Sequence, residues 1–302
     1  MPENTTNTAP EVQEEYIKEN TWKDTTFFVV LKQFVRNKTA IVGFVVALIL
    51  IILSLLAPVI APYDYAKVDP RSANQVPNAQ HWFGTDNYGR DVLSRILWGG
   101  RYSLAIGFGA EAISIGAGII LGALAGYFTG WVETIILRIC DIMQNIPGTL
   151  LNICIAQALG GGFGATLIAL SVGTIPGSVR VLRAMMMTVR EQEYIEAAHA
   201  INASNARIMF KHIVPNCLAP IIINASMGIG GKIMQSAGLS FIGLGIQEPI
   251  PEWGAMISAG RAYMRYYPHL IFIPGIFVAL VVLAFNLIGD GLRDALDPKL
   301  RQ

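Results

Sequence analysis

The strongest constraint on the fold is a series of apolar runs near the length of about 20 residues that a helix needs to cross a bilayer. Hydrophobic residues make up 53% of the 302 residues, and charged residues only 14%. Together these features predict an all-α, polytopic membrane protein with about six transmembrane helices, and a soluble globular domain is the weaker alternative. The proposed spans are 41–62, 102–127, 133–157, 163–185, 217–244 and 269–289.

The distribution of basic residues predicts which segments face the cytoplasm. Lysines and arginines are concentrated before the first span, between residues 180 and 211, and after the last span, so the positive-inside rule places both termini in the cytoplasm. The loop between the first two spans carries four basic and four acidic residues, and we assign it to the outside. The predicted order is a cytoplasmic tail with an interfacial helix (1–40), the first transmembrane helix (41–62), an extracytoplasmic loop (63–100), a five-helix domain (101–290) and a cytoplasmic tail (291–302).

The N-terminal region divides into two parts. Residues 1–21 are polar and acidic, which is typical of a disordered tail. Residues 22–38 combine aromatic and basic side chains, as expected of a helix that lies on the membrane surface. The alternative for this second part is the ordinary basic flank of the first span.

Charge and cysteine usage exclude several other classes of function. The formal net charge is +1, so the chain has no overall positive field of the kind that attracts nucleic acid. Cys140, Cys154 and Cys217 lie in or beside apolar runs without CxxC spacing. We interpret them as small buried hydrophobic residues rather than as a disulfide framework or a metal site.

Two patterns inside the spans concern packing. Gly118, Gly122 and Gly126 recur every four residues on one helix face, which lets another helix approach closely. Arg138 and Asp141 are three residues apart near the start of the third span, so they share a helix face. A structural pair in which they neutralise each other is favoured over a proton relay.

Other intramembrane residues could mark a pathway. Pro147 and Pro176 interrupt backbone hydrogen bonding inside apolar runs and predict bends. Lys232 and Gln235 in the fifth span are possible pathway residues, with a substrate carboxylate as counter-ion of the lysine. The alternative is a lysine that snorkels or bonds to a backbone carbonyl. These residues also keep open a stand-alone channel or a secondary transporter, whereas a structural scaffold explains neither the bends nor the polar segment that follows.

That polar segment separates the fourth and fifth apolar runs. From Tyr194 to Asn216 it reads YIEAAHAINASNARIMFKHIVPN. Apolar residues recur at three- and four-residue spacing, which predicts an amphipathic pair of cytoplasmic helices. The residues that recur at this spacing are Tyr194, Ile195, Ala198, Ile201, Ile208 and Met209. Pro215 is predicted to end the second helix. The segment is either a docking element for another protein or a loop folded on its own spans.

This segment resembles the EAA loop of importer-type ATP-binding-cassette permeases, whose pattern is E-A-A-x3-G-x9-I-x-L-P. The residues that carry the resemblance are Glu196, Ala197, Ala198, Asn202 and Pro215. The spacing matches throughout. The departures are Asn202 for Gly, His212 for Ile and Val214 for Leu. Because Asn can adopt the left-handed turn conformation, only a local change is implied. Residues 190–216 are called the EAA segment below.

Four further stretches resemble the C-type permease subunit of oligopeptide, dipeptide and nickel ABC importers. They are HWFGTDNYGRDVLSRILWGGRYSL (81–104), RICDIMQNIPGTLL (138–151), LSFIGLGIQEPIPEWGAMI (239–257) and NLIGDGLRDALDPKLR (286–301). The resemblance covers the chain from about residue 30 onward. It implies the type I ABC importer permease fold, with 101–290 as the ABC transmembrane type-1 domain and 190–216 as its coupling loop. It also implies a bacterial or archaeal cell membrane.

The resemblance implies a subunit without catalysis of its own. Its partners would be a second, B-type permease, two cytoplasmic ATPases that bind the ATP and Mg²⁺, and an extracytoplasmic substrate-binding protein. Consistently, no G-x4-G-K-[ST] motif occurs; the nearest stretch, SMGIGGKI (226–233), has Ser226 for the first Gly and Ile233 for the hydroxyl residue. The histidines show no HExxH or Ser/His/Asp arrangement. No catalytic residue, metal ligand or cofactor of its own is therefore predicted.

In the implied mechanism, the helix that carries Glu196, Ala197 and Ala198 fits a groove of the ATPase and moves with the ATPase. A close fit in this groove explains the small side chains of the helix. We favour peptide as the cargo, because peptide importers are the commonest members with this motif, and nickel or another small solute is the alternative.

Overall fold

The computed structural model describes residues 26–296, and these residues form an all-α chain. Within this range the only β pairing is an isolated bridge between Thr85 and Asp91. The α-helices are α1 Thr26–Arg36, α2 Lys38–Leu55, α3 Ala57–Ile60, α4 Val92–Tyr127, α5 Trp131–Gln144, α6 Gly148–Ala158, α7 Gly162–Val172, α8 Ile175–Arg190, α9 Glu193–Ala200, α10 Asn205–Arg207, α11 Val214–Asn216, α12 Leu218–Phe241, α13 Trp253–Gly260 and α14 His269–Leu296. Short 3₁₀ helices cover Pro70–Ser72 and Arg261–Tyr263, and a π-helical turn covers Ile208–Ile213.

Four helical segments are long and apolar enough to cross a membrane. They are α2, α4, the joined α7 and α8, and α14. Two further spans arise if each of two bent pairs is counted as one: α5 with α6, bent by 89°, and Asn205–Asn216 with α12, bent by 59°. The predicted number of six is therefore the upper value for the described residues.

Several span boundaries differ from the predicted ones. The second transmembrane helix begins at Val92 rather than at residue 102, because Asp91 caps it by accepting a hydrogen bond from the Ser94 N–H at 2.7 Å. The last helix continues to Leu296 rather than ending at residue 289. Apolar composition marks only the part of a helix that lies in lipid, so polar turns at its ends are missed. The predicted N-terminal tail (1–21) lies outside the described residues, as do residues 297–302 of the predicted C-terminal tail.

Pro147 and Pro176, the two prolines predicted to mark bends, both lie at helix breaks. Pro147 precedes α6 at the 89° bend, so the predicted third span is not one straight helix. Pro176 lies in the first turn of α8, directly after the interruption between α7 and α8. A proline has no N–H that could continue the hydrogen bonds of the preceding helix, which is the physical reason for both breaks.

The glycine face of α4 packs against α8, as the four-residue spacing predicts. A methyl group added at Gly122 would lie 2.8 Å from the Val179 carbonyl oxygen and 2.9 Å from Leu182 Cβ. Added methyl groups at Gly118 and Gly126 would also collide with α8. The two helices therefore approach at a distance that excludes larger side chains, and this contact positions the helix that leads into the EAA segment.

Candidate functional site

The EAA segment folds as the predicted pair of short helices. Its first helix, α9, ends in a left-handed residue, Asn202, with φ of 56°. The Ala203 N–H donates to the Ala198 carbonyl at 3.1 Å, and the Asn202 N–H donates to the His199 carbonyl at 2.9 Å. This is the Schellman arrangement that usually employs glycine. Asn202 therefore replaces the glycine of the motif without changing the turn.

The second arm of the EAA segment begins with a side-chain cap and continues past Pro215. Ser204 Oγ accepts from the Arg207 N–H at 3.4 Å and starts the arm. The helical backbone extends through Pro215 to Asn216. The prediction that Pro215 ends the helix is therefore wrong, because the chain turns only where α12 begins. Asn216 Nδ2 donates to the His212 carbonyl at 2.6 Å and satisfies an acceptor at this turn.

The two alanines of the motif point in different directions. Ala198 is 7% exposed and packs with Ile195, Ile208 and Met209 in the chain's own core beneath the segment. Ala197 is exposed. The expectation that both alanines enter a partner's groove is therefore wrong for Ala198, whose small size serves the packing of this chain.

The exposed surface of α9 differs from the predicted one in a second way. Tyr194 and Ile201, predicted to share the apolar side of the helix with Ile195 and Ala198, are 45% and 81% exposed. Ala197, which is also exposed, shares their helix face at spacings of three and four residues, and the exposed Glu196 borders it. The outer face of the EAA segment, defined here by Tyr194, Glu196, Ala197 and Ile201, thus presents two large apolar side chains around a small one.

Polar contacts hold the EAA segment against the end of α4. Tyr127 Oη donates to Asn205 Oδ1 at 2.8 Å, and Arg190 Nη1 donates to the Tyr127 carbonyl at 3.3 Å. A guanidinium at a helix C-terminus satisfies free carbonyls and is attracted by the helix dipole. The segment is therefore attached both to α4 and, through the chain itself, to α8 and α12.

The predicted pair between Arg138 and Asp141 does not form. Asp141 instead pairs with Arg180 of α8, and Glu133 pairs with Arg183 of the same helix. Arg138 is exposed and forms no ion pair within residues 26–296. Spacing along one helix allows a pair, but here the packing of α5 against α8 offers the acidic groups a different arginine.

Of the two possible pathway residues, one is buried and one is accessible. Lys232 is 2% exposed and donates to the Leu170 carbonyl at 2.7 Å and to the Thr174 hydroxyl. The carbonyl-bonded alternative is therefore confirmed, and a lysine that faces a pathway is wrong. Gln235 is exposed, and its Oε1 accepts from Asn152 Nδ2 at 3.3 Å.

A partly buried ion network at the other end of α4 was not predicted. Arg90 donates to Asp86 at 2.6 Å and to Glu248 at 2.7 Å, and Arg95 lies 3.5 Å from Asp86. Burial lowers the pKa of the Arg90 guanidinium, but the hydrogen bond to Glu248 and the charge of Asp86 outweigh it, so the net pKa is raised. The network fixes the loop before α4 onto the loop after α12. Sequence offered no signal for Glu248, which lies 158 residues from Arg90.

Comparison with known proteins agrees with this geometry. Residues 118–302 match the model of the binding-protein-dependent transport system inner membrane component, and residues 25–77 match the N-terminal TM domain of oligopeptide transport permease C. An inward-facing crystal structure of the MetNI methionine ABC transporter aligns with a TM-score of 0.55 at 20% identity, covering 66% of this chain and 95% of that one. This likeness confirms the predicted type I importer permease fold.

Two relatives are similar over most of their length. The dipeptide transport system permease protein DppC of Alkalihalophilus pseudofirmus is 42% identical over 97% of this chain and 95% of its own. The glutathione transport system permease protein GsiD of Pectobacterium atrosepticum is 41% identical over 89% of this chain and 90% of its own. The recognised resemblance is thereby confirmed: the chain belongs to the family of binding-protein-dependent transport system inner membrane components, as a C-type permease subunit of an ABC importer.

Proposed function

We propose that this permease forms half of the translocation pathway for dipeptides or oligopeptides. Relatives named for dipeptide and glutathione transport support this cargo, since both ligands are small, zwitterionic and contain peptide-like amide bonds. Family membership favours an importer subunit over a stand-alone channel or secondary transporter. The burial of Lys232 removes the main residue that kept those alternatives open.

The observation that carries the proposed coupling role is the outer face of the EAA segment. Ile201 is 81% exposed at the tip of α9, next to the small side chain of Ala197. The large apolar side chains project from this surface, and the small side chain leaves a recess beside them. Such a surface is suited to a partner of complementary shape. We assign this surface to one of two cytoplasmic ATPases, with Glu196 as a polar contact at its rim.

The remaining partners follow from the same assignment. A second, B-type permease completes the pathway, an extracytoplasmic binding protein delivers the peptide, and the ATPases bind ATP and Mg²⁺. The chain itself performs no catalysis. The basic flanks support a cell membrane location with both termini in the cytoplasm. Gln235, on the accessible face of α12, is our candidate for a residue that lines the pathway.

The test is uptake into vesicles that contain the complete importer. The chain is purified with the second permease and the ATPases, reconstituted, and supplied with the binding protein and radiolabelled dialanine or glutathione. We expect uptake that requires both ATP and the binding protein, and no ATP hydrolysis by the chain alone. ATP-independent uptake by the isolated chain, or ATP turnover by it, would contradict the proposal. Uptake of nickel but of neither peptide would replace the cargo and leave the coupling role intact.

A further inference from the structure

Three helices meet around the buried ammonium group of Lys232. Besides the Leu170 carbonyl, Nζ contacts the hydroxyl of Thr174, which lies in the joint between α7 and α8. This hydroxyl lies 2.9 Å from Ser114 Oγ of α4, which in turn lies 3.2 Å from Ser178 Oγ of α8. A continuous polar cluster therefore connects α12, the joint and α4.

The Leu170 carbonyl lacks its usual backbone donor because the helix is interrupted beside it. In a continuous α-helix the Thr174 N–H would donate to this oxygen. Here the Thr174 N–H donates to the Ser171 carbonyl at 3.2 Å, and the Leu170 carbonyl accepts instead from the Thr174 hydroxyl at 3.0 Å and from Lys232 Nζ at 2.7 Å. Lys232 therefore supplies a charged donor beside the hydroxyl of Thr174, to a backbone group that lipid could not satisfy.

Glu111 brings the opposing charge from α4. A methyl group added at Gly228 would lie 2.2 Å from a carboxylate oxygen of Glu111, so this carboxylate packs on α12 one turn before Lys232. Because residues four apart share a helix face, the carboxylate lies on the face of α12 that carries Lys232. Ionised side chains inside a bilayer are costly unless a partner neutralises them, so each of these two residues supports the presence of the other.

We propose that Lys232, Thr174 and Glu111 are positioning residues that make α7 and α8 move as one unit with α12. The EAA segment continues directly from the end of α8 and leads into the start of α12. A movement of the EAA segment therefore reaches both helices, and the polar cluster around Lys232 connects them. Without the cluster, the joint between Val172 and Ile175 bends and absorbs that movement. The inference rests on the proposed function, because it concerns how ATPase motion reaches the far half of the span.

The test measures dialanine uptake per ATP hydrolysed in the reconstituted importer. Lys232→Met removes the ammonium group from an unbranched side chain. Thr174→Val removes the hydroxyl at similar volume, whereas Thr174→Ser keeps it. We expect uptake per ATP to fall about tenfold in Lys232→Met and about threefold in Thr174→Val, within the range of coupling between linked sites. Thr174→Ser should retain the wild-type ratio, and ATP hydrolysis should continue in all of them.

Ser236→Ala is the matched control. Ser236 lies one turn further along α12, is fully buried, and its hydroxyl has no hydrogen-bond partner in residues 26–296, so the ratio should not change. Lys232→Met leaves the charge of Glu111 without a neutralising partner. If this variant assembles poorly, the double variant Lys232→Met/Glu111→Gln removes both charges and is measured in the same way.

An unchanged ratio in the assembled lysine variants and in Thr174→Val would overturn the inference, even if assembly falls, because the cluster would then only stabilise the fold. Absence of ATP-driven uptake by the wild-type importer would instead overturn the proposed function.

Discussion

Ala197 and Ala198 are adjacent in α9, yet their methyl groups have different surroundings. Ala198 touches the chain's own core, and Ala197 lies on the outer face beside Ile201. A larger side chain at each position therefore has a different consequence. At Ala198 it would disturb the packing of the EAA segment, and at Ala197 it would disturb only what docks there.

At the residue scale, we expect Ala197→Trp to separate the permease from its ATPases. The indole would fill the recess of the outer face, so ATPase co-purification and uptake should fall about tenfold or more, while membrane abundance stays at the wild-type level. Ala198→Trp should lower abundance itself, because overpacking a core costs about 1–3 kcal/mol. Both quantities are measured by affinity purification and immunoblotting of the same membranes. Full retention of the ATPases by Ala197→Trp would refute docking at this face.

At the element scale, α4 shows why Gly118, Gly122 and Gly126 share one face of a 36-residue helix. They bring α4 into backbone contact with α8, the helix that ends at the EAA segment. Gly116 lies on the same helix but away from this contact, since nothing would lie within 4 Å of an added methyl group. Gly116 is therefore a control position, in the same helix, for the effect of a larger side chain.

We expect Gly122→Leu to push α4 and α8 apart, and Gly116→Leu to be tolerated. Since the first methyl group of a side chain at Gly122 would already overlap Leu182, the cost should reach about 1–3 kcal/mol or more. Thermal unfolding of the purified complex in detergent measures the difference between the two variants. Equal unfolding temperatures would show that the contact at Gly122 relaxes freely.

The elements differ in how far sequence predicts them. Apolar length located the spans, and the glycine spacing predicted a close helix contact that α4 and α8 confirm. The turn at Asn202 was also predictable, because asparagine tolerates the left-handed conformation. The partner of Asp141 was not, since Arg180 reaches it only through the packing of α5 on α8. The exposure of Tyr194 and Ile201 was not predictable for a related reason: helical periodicity identifies an apolar side but does not show whether the rest of the molecule covers it.

At the scale of the whole molecule, the arrangement in the membrane is the property from which the other assignments follow. In the topology that we propose from the basic flanks, the EAA segment is on the same side as both termini, and the loop before α4 is on the other side. The network of Arg90, Asp86 and Glu248 would then lie outside and order the extracytoplasmic surface.

We expect Ser204→Cys to be labelled by a membrane-impermeant maleimide only after cells are opened, and Val76→Cys to be labelled in intact cells. Both positions are exposed. Cys154 is also exposed, so the interpretation of the cysteines as buried is wrong for this residue, and Cys154→Ser first removes its thiol. Labelling is read on the purified chain. Reaction of position 204 in intact cells would reverse the assigned topology.

The break between α7 and α8 turns this span into two arms of unequal length. With 16 residues, α8 is about 24 Å long, and the 11 residues of α7 give about 16 Å. A displacement of about 2 Å at the tip of the longer arm is a rotation of about 5° around the break. If the joint is stiff, the opposite tip moves by about 1.3 Å in the other direction, because the shorter arm has about two thirds of the length of the longer one. An inward push at one surface of the membrane then becomes an outward one at the other.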